Sequence, residues 1–280
     1  MGYLNTCTFT FNHKNSDLYN LAMCWTSKSD ECDTGLDRSL VKGDVNMLRH
    51  KANVYGSKYS SVIQMDFNIM RLDGEDLSQE ESRILNRWLL TDTFAPFHFN
   101  DNETENVIFN VMCTSIKDIV INGLNGKHLT FEADAPFGYT PEKKMILSSG
   151  NTKKIMNSSD DGDYFPVLEI SCDPTFSGNI ILTNITDNNN QMIFNMENYP
   201  ITNNQKIINI DTEKQCILDG AEHIVPLYKI GWSIIPDQLS ALQTMEHYWF
   251  KLVSGENIVK VQNANLVMKC KFPRKVGVLK

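Results

Sequence analysis

The 280-residue sequence lacks several features that would mark a membrane protein or a common metal-binding class. No apolar run approaches the roughly 20 residues that a helix needs to cross a bilayer. The N-terminus, Met1–Thr6, has no basic segment followed by an apolar stretch, so we expect no signal peptide and no membrane insertion. Seven cysteines occur without a C-x-x-C pair, which argues against a zinc ribbon or a thioredoxin-like site. We therefore expect reduced, buried thiols in a protein made in a cytoplasm.

Motifs of catalysis and cofactor binding are also missing. The sequence contains no G-x-S-x-G, H-E-x-x-H or G-x-G-x-x-G pattern. Gly126-Lys127 is followed by His128, where a phosphate-binding loop needs Ser or Thr. Asp160–Asp163 lacks the alternating oxygen ligands and the distant Glu of a calcium loop. The six histidines are too scattered for metal-ligand spacing; they are His13, His50, His98, His128, His223 and His247. We predict no catalytic residue, no cofactor and no metal site, and a protein that is not an enzyme.

Two patterns keep other functions open. Glu132 and Asp134 are two residues apart on an expected strand and so share one face, as the paired acids of a glycosidase could. A solvated sheet face explains them equally well. The cluster Tyr248-Trp249-Phe250 could stack on a sugar ring, although alternation along a strand would place at least one ring in a core. A hydrolase and a carbohydrate-binding adhesion module acting through the C-terminal half are therefore the alternatives.

The charge balance limits the nature of the partners. The net charge is −8 and the pI is about 5.3. A protein that wraps nucleic acid needs a basic surface, so specific nucleic-acid binding is not expected. An acidic wall would instead repel phosphates and let DNA pass without sticking.

One convincing helix lies in the first half of the chain. Ser78 followed by Glu81 forms a capping-box pattern, so the helix should begin there. We expect it to end near Asp92, because Pro96 and its aromatic neighbours favour extended chain. An apolar stripe is expected to fix the helix to a sheet; it consists of Ile84, Leu85, Trp88 and Leu89.

The rest of the chain has the alternation and turn residues of β-strands, which predicts a mainly β fold with one principal helix. The strands expected before residue 140 are Cys7–Asn12, Ser61–Arg71, Val107–Cys113 and Leu129–Ala133. Those expected later are Lys144–Leu147, Pro166–Ile170, Ile180–Ile185, Gln191–Met196, Lys206–Asp211, Gln215–Leu218, Tyr248–Leu252, Glu256–Gln262 and Asn265–Phe272. Asn122-Gly123 and Asn125-Gly126 are expected turns, and polar Ser27–His50 is expected to be a long loop or arm.

A change of composition predicts two domains. Thr140–Asp163 holds two lysine pairs and a polar, acidic run, which is typical of a linker. We place the boundary within it and predict domains 1–145 and 146–280. The second, with its short strands at regular spacing, should be a β-sandwich.

Several segments resemble segments of the distal tail protein (Dit) family of long-tailed, siphovirus-type phages, and they occur in the same order. Members of this family form the baseplate hub. The helix end Arg87–Leu90 and the later Ala135–Tyr139 resemble the family's first half, as does the opening Phe9–Asn12. Phe165–Ile170 and Trp249–Asn257 resemble its second half.

This resemblance implies an N-terminal belt or split-barrel-like domain that closes into a hexameric ring, and a C-terminal galectin-like β-sandwich. It implies a structural virion protein at the distal end of the tail, linking the tail tube protein to the tail-tip or tail-associated lysin hub and the receptor-binding apparatus, with DNA passing through the ring. The arm would lie on the next subunit. Its acids, Asp30, Glu31, Asp33 and Asp37, would face the channel or a basic neighbour.

Overall fold

The structure is a computed structural model, and it describes residues 8–25, 32–33, 37–46, 51–100, 106–121, 123–196, 201, 204–218, 224–225, 248–275 and 278–279. Cys7 and the acids Asp30 and Glu31 lie outside these residues. The predicted fold class is confirmed: the described chain is mainly antiparallel β-sheet, with one α-helix.

The chain divides into two compact units, residues 1–141 with 273–280, and residues 142–272. These units differ from the predicted ranges 1–145 and 146–280 in two respects. A boundary after residue 145 would cut the strand Lys143–Leu147, all of which pairs with Asn265–Cys270 in the second unit. The last residues of the chain return to the first unit, where Pro273–Arg274 pairs with Gly138–Tyr139. The functions expected of the two ranges stay predictions.

The first unit is built around a seven-stranded antiparallel sheet with the order β2-β1-β8-β9-β10-β7-β3. Strands are numbered along the whole chain. The elements of this unit are β1 Phe9–Phe11, β2 Lys14–Asn15, a 3-10 helix Ser16–Tyr19, β3 Leu21–Trp25, β4 Cys32–Asp33, β5 Arg38–Asn46, β6 Lys51–Tyr59, β7 Gln64–Arg71, α1 Gln79–Leu89, β8 Ala95–Phe99, β9 Phe109–Ile121, β10 Leu124–Ala133, β11 Gly138–Tyr139, β22 Pro273–Arg274 and β23 Val278–Leu279.

This sheet curls around an aromatic core. Phe9 on β1 and Phe67 on β7 are four strand positions apart in the sheet, which would separate them by roughly 19 Å if it were flat. Their ring centroids are instead 5.5 Å apart, and those of Phe11 and Phe131 are 5.2 Å apart. The sheet therefore closes on itself like an open barrel, as a split-barrel-like domain should.

Helix α1 forms as the sequence predicts. The Ser78 Oγ accepts a hydrogen bond from the Glu81 amide at 3.2 Å, and the Glu81 carboxylate accepts one from the Ser78 amide at 2.8 Å, which completes the capping box. Leu85, Trp88 and Leu89 are buried, whereas Ile84 is 42% exposed at the edge of the stripe. The helix ends at Leu89, before the predicted Asp92, because Leu90 is already extended.

Part of the expected loop Ser27–His50 is β-structure. Strands β5 and β6 pair in an antiparallel hairpin that forms a separate two-stranded sheet. We call this hairpin, Arg38–Asn46 with Lys51–Tyr59, the hairpin arm. The prediction was wrong here because the hydrophobic alternation of a half-buried strand is missing: Leu40 and Val41 are consecutive and both exposed.

The turn in the following hairpin is at Gly123, not at Asn125-Gly126. Gly123 has a φ of +85°, whereas Asn125 and Gly126 lie inside β10 and pair with β9. A Cβ on Gly126 would lie 2.6 Å from the Ile69 carbonyl oxygen. Glycine is therefore needed for close backbone approach, which a turn dipeptide does not distinguish.

The second unit is a β-sandwich. Its strands are β12 Lys143–Leu147, β13 Thr152–Asn157, β14 Val167–Cys172, β15 Asn179–Asn184, β16 Asn190–Asn195, β17 Lys206–Asp211, β18 Cys216–Leu218, β19 Ile224–Val225, β20 Gly255–Gln262 and β21 Asn265–Cys270. They form a six-stranded sheet, β12-β21-β14-β17-β18-β19, and a four-stranded sheet, β13-β20-β15-β16. Side chains from both sheets form one buried cluster, including Ile170 and Met268 from the first and Leu182 and Val261 from the second.

Two expectations about this half are corrected. The linker Thr140–Asp163 contains β12 and β13, whose Leu147 and Ile155 are buried in the sandwich core. The strand expected at Lys144–Leu147 is confirmed as β12, whereas β13 was missed because Lys153 and Lys154 occupy exposed positions on it. Tyr248–Leu252 is not a strand; it makes one isolated bridge, between Leu252 and Tyr164.

Candidate assembly interface

The acids weighed as a hydrolytic pair lie on a solvated sheet face. Glu132 and Asp134 are exposed on either side of buried Ala133. The Asp134 carboxylate accepts a hydrogen bond from the Asn110 side chain at 3.0 Å. This contact joins two neighbouring side chains across the sheet, as in ordinary β-structure.

Lys127 of the phosphate-loop-like sequence takes part in an ion pair. It is 2% exposed, and its Nζ lies 2.6 Å from Oδ1 of Asp118, the residue directly opposite it on β9. A phosphate loop turns its backbone amides towards the ligand, whereas the backbone here is in a strand. Gly126-Lys127-His128 therefore lies within a strand of the hairpin, and it is neither a phosphate loop nor the turn expected at Asn125-Gly126.

Of the candidate metal ligands, Asp163 and His128 make polar contacts within the protein, and the Nδ1 atom of His98 is buried. Asp163 accepts a hydrogen bond from the Lys251 ammonium at 2.7 Å. His128 Nδ1 lies 2.9 Å from the Asn68 side-chain oxygen, and His98 Nδ1 is buried on β8. Among the described residues, no three His, Cys, Asp or Glu side chains group so as to hold a metal ion. His50, His223 and His247 lie outside the described part.

The described cysteines are free thiols in apolar surroundings. Burial raises the pKa of Cys113 to about 11 and that of Cys270 to about 12. It also raises the pKa of Cys24, which is half-buried, and of buried Cys172 and Cys216. A thiol with a raised pKa is protonated at neutral pH and is a poor nucleophile. The side chains of Cys7 and Cys32 are not among those that the structure describes.

The aromatic cluster of the C-terminal unit is tied to the core. Phe250 is fully buried, and half-buried Tyr248 and Trp249 pack against the same core. The Tyr248 hydroxyl donates a hydrogen bond to the Asp187 carboxylate at 2.8 Å, and burial raises the pKa of Tyr248 above its usual range. These contacts support a packing role and do not favour the stacking of a sugar.

A network of asparagine side chains holds the irregular segment that contains these aromatics. Asn257 is fully buried; its side-chain oxygen accepts hydrogen bonds from the Val253 amide and the Asn184 side chain, each at 2.9 Å. Its side-chain nitrogen donates to the Val253 and Gly255 carbonyls. The Asn157 side chain donates to the Leu252 carbonyl at 3.0 Å. Sequence reasoning missed this network, because polar residues beside turns suggest solvent.

In the N-terminal unit, Trp88 fixes α1 to the sheet, as predicted. It is 5% exposed, and its indole Nε1 donates a hydrogen bond to the Phe11 carbonyl at 3.2 Å. Its ring stacks on Tyr19 and Phe9, with centroids 4.6 and 5.8 Å away. One side chain thus joins the helix, β1 and the 3-10 helix.

The start of α1 carries a cluster of charges. The Arg71 guanidinium contacts Asp73 and lies 2.6 Å from the Glu81 carboxylate and 3.6 Å from that of Glu75. The hydrogen bond from Arg71 lowers the pKa of Asp73 to about 2, and hydrogen bonds from Ser78 lower the pKa of Glu81. The Asp73 and Glu81 carboxylates are therefore charged at neutral pH.

Two features of the N-terminal unit are open to a partner. Strand β3 is the last in its sheet, so one side of its main chain faces no strand among the described residues. The hairpin arm belongs to no larger sheet and exposes Leu40 and Tyr55. Its base is held by Tyr59, whose ring contacts Phe137 and lies under the Arg38 guanidinium. Unpaired edges and uncovered apolar hairpins are typical of surfaces that pair with another chain.

Comparison with known proteins finds one family model that matches the first half of the chain. Residues 5–135 match the model described as a phage tail protein N-terminal domain. No curated protein sequence matches. No helix among the described residues is long and apolar enough to cross a membrane.

Two solved structures have a similar fold over nearly the whole chain. The chain is similar to the Dit protein of phage SPP1, described as a paradigm of the hub adsorption apparatus in phages that infect Gram-positive hosts, with a TM-score of 0.61, 12% identity, and coverage of 96% of this chain and 100% of that one. It is similar to a chain of the phage p2 baseplate in its activated conformation, with a TM-score of 0.51, 11% identity, and coverage of 95% and 97%. The resemblance to distal tail proteins is confirmed at the level of the fold.

Proposed function

We propose that this protein is a structural hub at the distal end of a phage tail, where six copies form a closed ring that joins the tail tube to the tail tip and the receptor-binding apparatus. The observation that carries this proposal is the fold likeness to a hub protein over nearly the whole length of both chains. The protein works by binding other tail components and catalyses no reaction. DNA passes through the ring, whose net acidic subunits do not retain it.

The N-terminal unit supplies the ring contacts. A cyclic ring needs two different surfaces on each subunit, one contacting each neighbour. The hairpin arm is one such surface, and the open edge of β3 offers a further contact for a neighbour on the same unit. Main-chain pairing along an edge would give affinity, and the side chains of the arm would fix the register.

The C-terminal unit is the carrier of the tail tip or of a receptor-binding protein. Its two sheets enclose their own apolar core, with side chains from both sheets in one cluster. Such a galectin-like sandwich needs no neighbour to be stable, so its surface is free to bind a baseplate component.

Sedimentation velocity and native mass spectrometry of the purified full-length chain test this proposal. We expect a species of six times the chain mass of 31.9 kDa, seen as a ring with a central opening by negative-stain electron microscopy. A chain that stays monomeric at concentrations well above 10 µM would contradict the proposed ring, since tail assembly requires specific contacts of at least about this affinity.

A further inference from the structure

The hairpin arm carries solvent-exposed apolar side chains. An isolated two-stranded hairpin is only marginally stable in water. Leu40 is 55% exposed, Val41 43% and Tyr55 73%. Leu40 and Val41 are consecutive on β5 and point to opposite faces, so both faces of the arm carry exposed apolar side chains. A partner would remove this surface from water.

The arm is also basic in an acidic protein. Its two strands contain four basic residues and one acidic residue, a net charge of +3, whereas the whole chain carries −8. Arg38, Lys42 and Lys58 are exposed along it. The partner should therefore combine apolar side chains with negative charge.

The start of α1 offers a surface of this kind. Residues 71–83 contain five acidic and two basic residues, a net charge of −3. A groove of about 320 Å³ follows one side of the helix and is lined by Leu18, 74% exposed, and Ile84, 42% exposed. A second groove, of about 570 Å³, lies on the other side and includes Val120, 67% exposed. We call this region the α1 face.

Internal ion pairs leave much of this negative charge uncompensated. Arg71 contacts Asp73 and Glu81, and Arg83 contacts Glu80. Two guanidinium groups thus contact four of the five carboxylates, and exposed Glu75 lies 3.6 Å from that of Arg71. The α1 face and the hairpin arm are different surfaces, so a contact between them is heterologous and can repeat around a ring.

We infer that the hairpin arm of one copy docks on the α1 face of a second copy, with Lys42 and Lys58 against the acidic residues and Leu40, Val41 and Tyr55 against the grooves beside the helix. This inference rests on the proposed ring and names the acceptor of the arm. Burial of the apolar residues gives affinity, and the charges select the register.

Charge reversal in the full-length chain tests the docking. One variant carries Lys42→Glu with Lys58→Glu, a second Glu75→Lys with Glu80→Lys, and a third all four changes. Lys143→Glu with Lys271→Glu, two exposed positions of the C-terminal unit, is the matched control. We expect each surface variant to raise the concentration for half-assembly at least about tenfold, because like charges then face each other, while the control leaves it unchanged. In the variant with all four changes, the concentration for half-assembly should return to within about threefold of the wild-type value.

Circular dichroism melting must first show that every variant unfolds at the wild-type temperature. If the Glu75/Glu80 variant assembles as well as the wild-type chain, the α1 face is not the acceptor of the arm. The proposed ring is unaffected by that result. If the arm variant loses assembly and the variant with all four changes does not restore it, the α1 face is again not the acceptor. The arm then has a different partner, nucleic acid included. A wild-type chain that stays monomeric overturns the ring proposal itself, and this inference with it.

Discussion

The two units solve the problem of covering a sheet in different ways. The N-terminal unit has one large sheet curled around phenylalanine rings, with α1 held to it through Trp88. The C-terminal unit has two sheets whose inner faces cover each other with mainly aliphatic side chains. The first is an open barrel closed by a helix; the second is closed by its own strands.

This difference determines where assembly surfaces arise. In the N-terminal unit, the hairpin arm lies outside the main sheet, and the outer edge of β3 pairs with no strand in the described part of the chain. Such elements gain free energy when another chain covers or pairs with them. In the C-terminal unit, even the irregular segment around Phe250 is satisfied internally, by asparagine side chains. The comparison predicts an N-terminal unit that depends on neighbours and a C-terminal unit that does not.

The largest expected effect is on the folding of fragments of the C-terminal unit. Fragment 142–272 contains all ten strands of the sandwich, and we expect cooperative urea unfolding and a dispersed NMR spectrum. Fragment 165–280 lacks β12 and β13, which removes Leu147 and Ile155 from the core and exposes β21 and β20 as new edges. We expect it not to fold, since each sheet loses an edge strand. Equal stability of the two fragments would break the picture of a self-contained sandwich beginning at residue 142.

The sequence predicted those elements whose burial follows a strict period. The capping box at Ser78, the alternation in β7 and the closing strand β21 are all confirmed, because each buries every second residue or one stripe of a helix. The hairpin Asn179–Asn195 was also predicted, since turn residues separate its two apolar runs.

The failures share a physical reason: the local pattern does not record contacts between distant segments. The hairpin arm lacks alternation at its described apolar positions, because Leu40 and Val41 are consecutive and both exposed. Strand β13 looks like part of a linker because Lys153 and Lys154 occupy exposed positions on it. Asn257 is buried by hydrogen bonds to a segment whose shape the sequence does not give.

The candidate site was less predictable than the fold. The composition and the missing motifs indicated a binding protein. The resemblance to the distal tail protein family indicated a ring with an arm on each subunit. The acceptor could not be named from sequence, because Leu18, Ile84 and Val120 come together only when the 3-10 helix, α1 and the end of β9 are packed. Sequence order separates them by tens of residues.

A smaller effect tests how the N-terminal unit is closed. Trp88→Ala removes the indole that joins α1 to Phe11 and Tyr19, and we expect a loss of about 3–5 kcal/mol in the free energy of unfolding, as for other large aromatic side chains in cores. Arg87→Ala, one residue earlier and exposed on the same helix, is the control and should cost less than about 1 kcal/mol. Urea titration of the full-length chain measures both. Equal losses would mean that α1 is not held by its buried stripe.

The smallest effect concerns the polar closure of the C-terminal unit. Asn257→Ala removes four hydrogen bonds and leaves the Val253 amide and the Gly255 carbonyl without these partners. A buried polar group left unsatisfied costs about 1–3 kcal/mol, so we expect a loss of about 2 kcal/mol in fragment 142–272. Asn151→Ala, at an exposed position of the same unit, should change stability by less than about 0.5 kcal/mol. Because the network holds the segment that carries Phe250, tryptophan fluorescence of neighbouring Trp249 should shift to longer wavelength in Asn257→Ala before global unfolding. A variant with wild-type stability and fluorescence would mean that apolar packing alone holds this segment, and that the C-terminal unit does not need its asparagines to be complete.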